Sequence, residues 1–387
     1  MGLSGVISTL CELIEIPSVN PELASSEEPS YGEVQLAQYI AKLLELTGAR
    51  VIRQQVLNGR ENIIAILGSG NIDVMLCAHM DTVSGSGMRY PPFKPTLVNG
   101  RLYGRGACDT KASMAAMLVA FRNAASGSKH RAIMFAATVD EEHRALGAKA
   151  LCQWLLEQLG HDKLPRICIV GEPTNLEIAI AHKGFVRGII RTTGVSAHSS
   201  MPYLGVNAIC RMAKVIPLLE IYADEVLSKI EHPLLGTPTI SVGMISGGLA
   251  PNVVPDRCEV VIDFRILPSQ EPMEAWRNLS EFIRSSPAID FDVEFEQPEL
   301  IDIGMETSPD EPLVRKLIDT VRSAIGDVKV VGVPYSTDAS KFASIGIPSV
   351  VFGPGRIEQA HSADEFVEVE QVEKYATALE QFLTHPK

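Results

Sequence analysis

No two of the seven cysteines (Cys11, Cys77, Cys108, Cys152, Cys168, Cys210, Cys258) form a Cys-x-x-Cys pair, which excludes a thiolate zinc site of the usual spacing. They are odd in number, scattered and mostly set in apolar runs such as Ile167-Cys-Ile-Val170, as buried free thiols of a reducing compartment are. No apolar run reaches the ~18 residues of a membrane span, and the amino terminus, Met1-Gly-Leu-Ser-Gly-Val-Ile-Ser, has no basic region followed by a long apolar core. The expectation is a cytoplasmic protein with no membrane partner. Neither Gly-x-Gly-x-x-Gly nor Gly-x-x-x-x-Gly-Lys-Ser/Thr is completed, so the nucleotide-binding alternative fails. Positive charge is in deficit. With 47 acidic against 34 basic residues the net charge is -13, spread along the chain, which argues against nucleic acid as a partner.

At 387 residues the chain exceeds the ~250–300 that one core accommodates, so two domains are expected. Helical periodicity covers Ser4–Ile16 and, after a loop through Pro29, about Tyr31–Thr47. Strands follow at Ala49–Gln55, Asn62–Leu67 and Val74–Ala78, then an apolar helix at Ser113–Ala125 and strands at Ala132–Thr138 and Ile167–Val170. From about Lys183 the pattern changes: Phe185–Thr193, a helix at Asn207–Ala223, strands at Pro238–Ile245 and Arg257–Ile266, a helix at Glu271–Ser285, and Asp290–Glu296. This β-α-β-β-α-β order is that of a ferredoxin-like unit. The first pattern resumes with a helix at Glu311–Ala324, strands at Lys329–Gly332 and Ser349–Phe352, and a terminal helix at Glu368–Thr384. The expected division is 1–182, 183–299 and 300–387, the middle segment being an insertion.

The apolar strands end in chemistry. Val74–Ala78 runs into His79-Met-Asp81, Ala132–Thr138 into Asp140-Glu141-Glu142, and Ile167–Val170 into Gly171-Glu172. Asp109 follows the glycines of Gly104-Arg-Gly-Ala-Cys, and His361 lies in a late loop. In a parallel sheet, side chains at the carboxyl ends of strands line the ligand crevice. Singly, each has a structural explanation: a helix start for Glu141 and Glu142, a turn for Glu172, a cap for Asp109. Jointly, two histidines and three carboxylates are the donors that divalent zinc-type ions accept, and two such ions ~3.5–4 Å apart can share one carboxylate. Asp109 would be shared, Glu141 would be the base that moves a water's proton, and Asp81 would fix the tautomer of His79.

These motifs, with Asp109-Thr-Lys111, Glu172-Pro-Thr174 and Gly353-Pro-Gly355, resemble the M20 family of dinuclear-zinc metallopeptidases and deacylases, which includes acetylornithine deacetylase and succinyl-diaminopimelate desuccinylase. The resemblance covers nearly the whole chain. It implies an α/β zinc-peptidase-like catalytic domain with a mixed, mostly parallel sheet, and an inserted ferredoxin-like dimerisation domain. It implies two zinc ions per subunit, with cobalt or manganese as substitutes: His79, Glu172 and Asp109 on one, His361, Glu142 and Asp109 on the other. It also implies a cis Asp109–Thr110 peptide. His198 in Ala197-His-Ser-Ser200 resembles the histidine that reaches across a homodimer to the oxyanion. Arg265, Asn252 and Gly355 resemble substrate contacts. The implied activity is removal of an acyl group from an N-acyl amino acid, with N-acetylornithine favoured by the runs around Glu172 and His198. A desuccinylase, a carboxypeptidase or dipeptidase, and a catalytically silent metal- or amino-acid-binding dimer are the alternatives.

Overall fold

Val74 to Ala78 is at most 1% exposed, as a run of apolar residues must be when helices cover both faces of a sheet. In the computed structural model, which describes residues 4–26, 32–127 and 130–384, the strand Val74–His79 lies parallel between Ile133–Thr138 and Cys168–Val170. Ser349–Val351 continues the parallel set. On one flank Arg60–Leu67 and Arg50–Leu57 add antiparallel. On the other, Ile178–His182 joins Ser349–Val351 antiparallel. Among the described residues this mixed sheet has nine strands, completed by Met305–Glu306 and Val330–Val333.

The helix Lys111–Ser126 packs against Gly5–Glu15 and Val369–Thr384. Its buried Ala112, Ala115, Ala116, Ala120 and Ala124 leave room for those neighbours to approach closely. Lys111, fully buried at its start, donates to the carbonyls of Leu13 and Ile16 at 2.9 and 2.8 Å, which anchors the helix below the loop that precedes it. A third, three-stranded sheet is formed by Thr96–Val98, Arg101–Tyr103 and Phe366–Glu368. The first two make a hairpin over Asn99-Gly100, both at positive φ (49° and 79°), the geometry that favours Asn-Gly in a two-residue turn.

The chain divides into two compact units, Met1–Ile180 with Glu306–Val331 and Thr337–Lys387, and Ala181–Met305 with Gly332–Ser336. The second has its own antiparallel sheet in the order Thr239–Gly247, Arg257–Ile266, Gly184–Thr193, Val293–Phe295, with Leu300–Asp302 also on Gly184–Thr193. Alternation of buried and open residues along Gly184–Thr193 and Arg257–Ile266 gives one core face, covered by Ala208–Glu225 and Pro272–Ser285. Trp276 lies over Gly188, where a Cβ would come within 2.5 Å of its ring. The α/β fold with an inserted ferredoxin-like α+β unit is therefore the observed one. Its elements also depart from expectation. The helix Leu146–Leu159 and the strand Ile178–His182 were not foreseen, and Thr239–Gly247 runs two residues beyond Ile245. Expected features at Met1–Leu3, at Pro29 and at Tyr31, where the second helix was to begin, lie outside the described residues; that helix is described over Val34–Glu45. Among the described residues no helix is long and apolar enough to cross a membrane.

Candidate metal centre

Because Ile133–Thr138, Val74–His79 and Cys168–Val170 are adjacent and parallel, whatever follows each of them emerges at one edge of the sheet. His79 is opposite Thr138 in register. After Thr138 the chain turns through Asp140 at φ 66° to Glu141 and Glu142, and after Val170 it reaches Glu172 within two residues. The Asp109 loop and the His361 loop approach the same point. His79 Nε2 lies 3.0 Å from Asp109 Oδ1 and 3.6 Å from Glu172 Oε1. His361 Nε2 lies 3.3 Å from Asp109 Oδ2 and 2.9 Å from Glu142 Oε1. Each oxygen of Asp109 thus faces a different imidazole, and each imidazole has a second carboxylate beside it. His79, Asp109 and Glu172 are buried, whereas the His361 side chain is 49% exposed.

The donor set fits metal. His79 Nδ1 is 2.9 Å from the carbonyl of Asp81; a carbonyl only accepts, so Nδ1 carries the proton and the Nε2 lone pair of the neutral ring points at two carboxylates. That is repulsive unless a cation or a proton sits between them. Donor atoms about 2.0–2.2 Å from a tetrahedral ion are roughly 3.3–3.6 Å apart, and the observed separations of 2.9 to 3.6 Å bracket this. One ligand atom each from His79, Asp109 and Glu142 all lie within 4.8 Å of one another.

The electrostatics point the same way. Burial pushes Glu142 up to about 7, with the Asp109 charge adding and His361 opposing. Burial likewise raises Glu141 and Glu172 well above the carboxylate range, and holds Asp338 at about 6. Hydrogen bonds to Asp109 and Glu142 push His361 up to about 11. Asp109, although burial opposes its ionisation, is held low by its contacts with His361 and His79. Acids crowded until they resist ionisation are a site awaiting positive charge.

Asp81 serves both His79 and the turn beyond Thr138. Its backbone carbonyl, 2.9 Å from His79 Nδ1, and its carboxylate, 3.5 Å from the same nitrogen, both face the imidazole, and the carboxylate also accepts the N–H groups of Glu141 and Glu142, each at 3.0 Å, and the Asn20 amide at 2.8 Å. Glu33, Arg60 and Asp140 support the same turn: the guanidinium spans the Glu33 carboxylate at 2.6 Å through both nitrogens and reaches Asp140 at 3.3 Å, and Glu33 accepts the Asp140 N–H at 3.1 Å. Asn20, Glu33, Arg60 and Asp338 carried no motif in the sequence. The Asp109–Thr110 peptide is cis. Gly355, at φ 84°, has no room for a side chain, since a Cβ would lie 2.5 Å from Cys108 Sγ.

The remaining candidates belong to the second unit. His198 and Asn252 are neighbours there: His198 bridges to Val253, and Ser199 N–H donates to the Asn252 carbonyl at 3.0 Å. Both side chains are exposed. The Ser200 N–H donates to His198 Nδ1 at 3.1 Å, so in the neutral ring the proton is on Nε2, which is left as a donor. Arg265 is not free: its guanidinium is held by Asp263 at 2.6 and 3.3 Å and lies 5.5 Å from the Phe185 ring centre.

The family model for peptidase family M20/M25/M40 matches residues 75–385. The acetylornithine deacetylase of Vibrio cholerae serotype O1 is 33% identical over 379 residues, covering 93% of each chain. The aminopeptidase PepT of Bacillus cereus shares the fold at 21% identity, with a TM-score of 0.77 over 99% of this chain and 98% of its own. The YXEP protein of Bacillus subtilis, described as a dinuclear metal binding peptidase, superposes with a TM-score of 0.69 at 16% identity, over 97% and 96% of the two chains.

Proposed function

The chain belongs to peptidase family M20/M25/M40, and from that premise we propose that it is a dinuclear zinc amidohydrolase that deacylates N-acyl amino acids, N-acetylornithine foremost. The observation that carries the reading is Asp109, with one imidazole at each oxygen and Glu172 and Glu142 completing the two halves. His79, Glu172 and Asp109 would hold one ion, and His361, Glu142 and Asp109 the other. Zinc suits imidazole with carboxylate, and cobalt or manganese accepts the same donors.

Bound divalent metal supplies Lewis acidity, acidifying water and polarising an amide carbonyl. The chain's own groups do the rest. Glu141, adjacent to a ligand and not needed as one, takes the proton of the attacking water and passes it to the leaving nitrogen as the C–N bond breaks, giving a carboxylate and an amine. Its raised proton affinity suits both halves of that transfer. Asp81 holds Glu141 and Glu142 in place through their amides. His198, with Nε2–H available, donates to the developing oxyanion together with Asn252, and Arg265 takes the substrate carboxylate through its paired N–H groups. Gly355 lets the backbone approach the substrate.

His198 acts from a partner subunit in this reading, and residues 183–299 serve as the dimerisation domain. The open edge strand Thr239–Gly247 supports this, with Met244 68% and Ile245 58% exposed and Leu249 beyond it at 93%, since an exposed apolar edge invites pairing. A cytoplasmic location is supported by seven cysteines that are all free. The test is zinc-reconstituted activity on N-acetylornithine, N-succinyl-diaminopimelate, other N-acetyl amino acids and simple dipeptides. Preference for N-acetylornithine is expected. A preference for the succinyl compound or for dipeptides keeps the chemistry and replaces the substrate. No turnover with two metals bound overturns the enzyme reading in favour of a binding protein.

A further inference from the structure

Glu365 stands four residues beyond His361, belongs to no motif read from the sequence, and is 1% exposed. Its carboxylate is wrapped by the loop that carries Asp109. Oε1 accepts the N–H groups of Cys108 at 2.9 Å and Asp109 at 3.1 Å. Oε2 accepts the Gly106 N–H at 3.1 Å and Arg105 Nη1 at 2.5 Å, and Arg105 is braced by donating from Nε to the Ser84 carbonyl at 2.8 Å. The small sheet delivers both partners: Arg101–Tyr103 leads into the Asp109 loop, Phe366–Glu368 leads away from Glu365, and the two strands pair with Phe366 opposite Tyr103. Gly106, at φ 81°, adopts a backbone conformation that favours glycine. A Cβ there would meet Thr82 at 2.9 Å and Lys111 at 3.0 Å.

We propose that Glu365 is a positioning residue for Asp109, holding its amide so that the two oxygens of the shared carboxylate face His79 and His361 at once. Glu365 and His361 lie on the same short loop, so one segment supplies a donor to one half of the centre and aims the carboxylate common to both. The inference rests on the metal-pair reading above.

The test compares wild type, Glu365→Gln, Glu365→Asp and the core variant Leu379→Ala by calorimetric Zn²⁺ titration of the apoprotein, by the visible absorption of the Co²⁺-loaded protein, and by circular dichroism. Glutamine keeps the size but turns an NH₂ group against backbone N–H donors. Glu365→Gln is expected to fold, to lose about 10–100-fold in Zn²⁺ affinity, as loss of partners behind a ligand does, and to alter the Co²⁺ spectrum. Glu365→Asp should restore part of both. Leu379→Ala should lower Tm and leave affinity and spectrum as in wild type, which a purely structural role for Glu365 would also predict for Glu365→Gln. Wild-type affinity and spectrum in Glu365→Gln overturn the proposal. If Glu365→Gln does not fold, Glu365→Asp decides: weakened binding with an altered spectrum supports the proposal and wild-type values overturn it. A wild-type protein that binds fewer than two ions overturns the metal pair itself, and the inference with it.

Discussion

The two units hold their candidate residues in opposite ways. In the first, every donor side chain but that of His361 is at most 9% exposed and follows the end of a parallel strand or sits in a loop pinned by a buried carboxylate. In the second, His198 and Asn252 are exposed on turns and Arg265 is held by an exchangeable ion pair. A centre built just beyond strand ends is set when the chain folds, since the strands fix where those turns begin and Asp81 holds the amides of Glu141 and Glu142. Groups on open turns of an antiparallel sheet cost little to move, which suits residues that must meet a substrate arriving and leaving. On the reading proposed above, the difference separates residues that would hold the metal pair from residues that would meet the substrate.

The largest effect expected follows from breaking the first half at its shared point. Asp109→Ala should abolish binding of both ions, measured by metal analysis after dialysis, and take kcat with it. Retention of one tightly held ion would show that the halves do not depend on Asp109 alike. Next is Glu141→Gln, which should keep two ions and lower kcat by about 10²–10⁴-fold, the usual worth of a positioned proton-transfer group; near wild-type turnover would remove Glu141 from that role. Smaller is His198→Ala, about 10²–10³-fold in kcat for one oxyanion donor, with metal content unchanged. Mixing His198→Ala with Asp109→Ala subunits should recover activity, since a histidine acting in trans leaves one intact site per mixed dimer. No recovery in a verified mixed dimer places the histidine in cis.

The contrast also explains what the sequence disclosed. His79, Glu141, Glu142 and Glu172 were legible because an apolar run that stops abruptly in a charged group is a local signal, and adjacent parallel strands turn three such signals into one place. The α-β-β-α order of the insertion was legible for the same reason, through its alternation. What supports those groups was not. Asn20 reaches Asp81 across 61 residues, Arg60 reaches Asp140 across 80 and Glu365 reaches Cys108 across 257, and no periodicity connects positions so far apart. The helix Leu146–Leu159 escaped because its start is dictated by tertiary contact: Gly147 sits where a Cβ would be 2.4 Å from the Val139 carbonyl. The Asn99-Gly100 turn carries its signal in the dipeptide itself. For Asp81 the contact with His79, two residues away, was legible, whereas its hold on the amides of Glu141 and Glu142, across 60 and 61 residues, was not.

The smallest effect sharpens the second half of the comparison. Asp263 receives Arg187 Nε at 2.8 Å and Arg265 Nε at 2.6 Å, with all three side chains partly open to solvent, so each pair is worth no more than about 1 kcal/mol. If Arg265 takes the substrate carboxylate, the substrate must first displace Asp263, and that displacement is a cost borne in binding and absent from the chemical step. Asp263→Asn removes it while leaving an oxygen that still accepts from Arg187. KM should fall by up to about fivefold, the factor to which 1 kcal/mol corresponds, with kcat unchanged and with no change for an analogue lacking the carboxylate. A rise in KM would mean that Asp263 aims the guanidinium and does not compete for it, which would make the second unit as pre-set as the first at this one position.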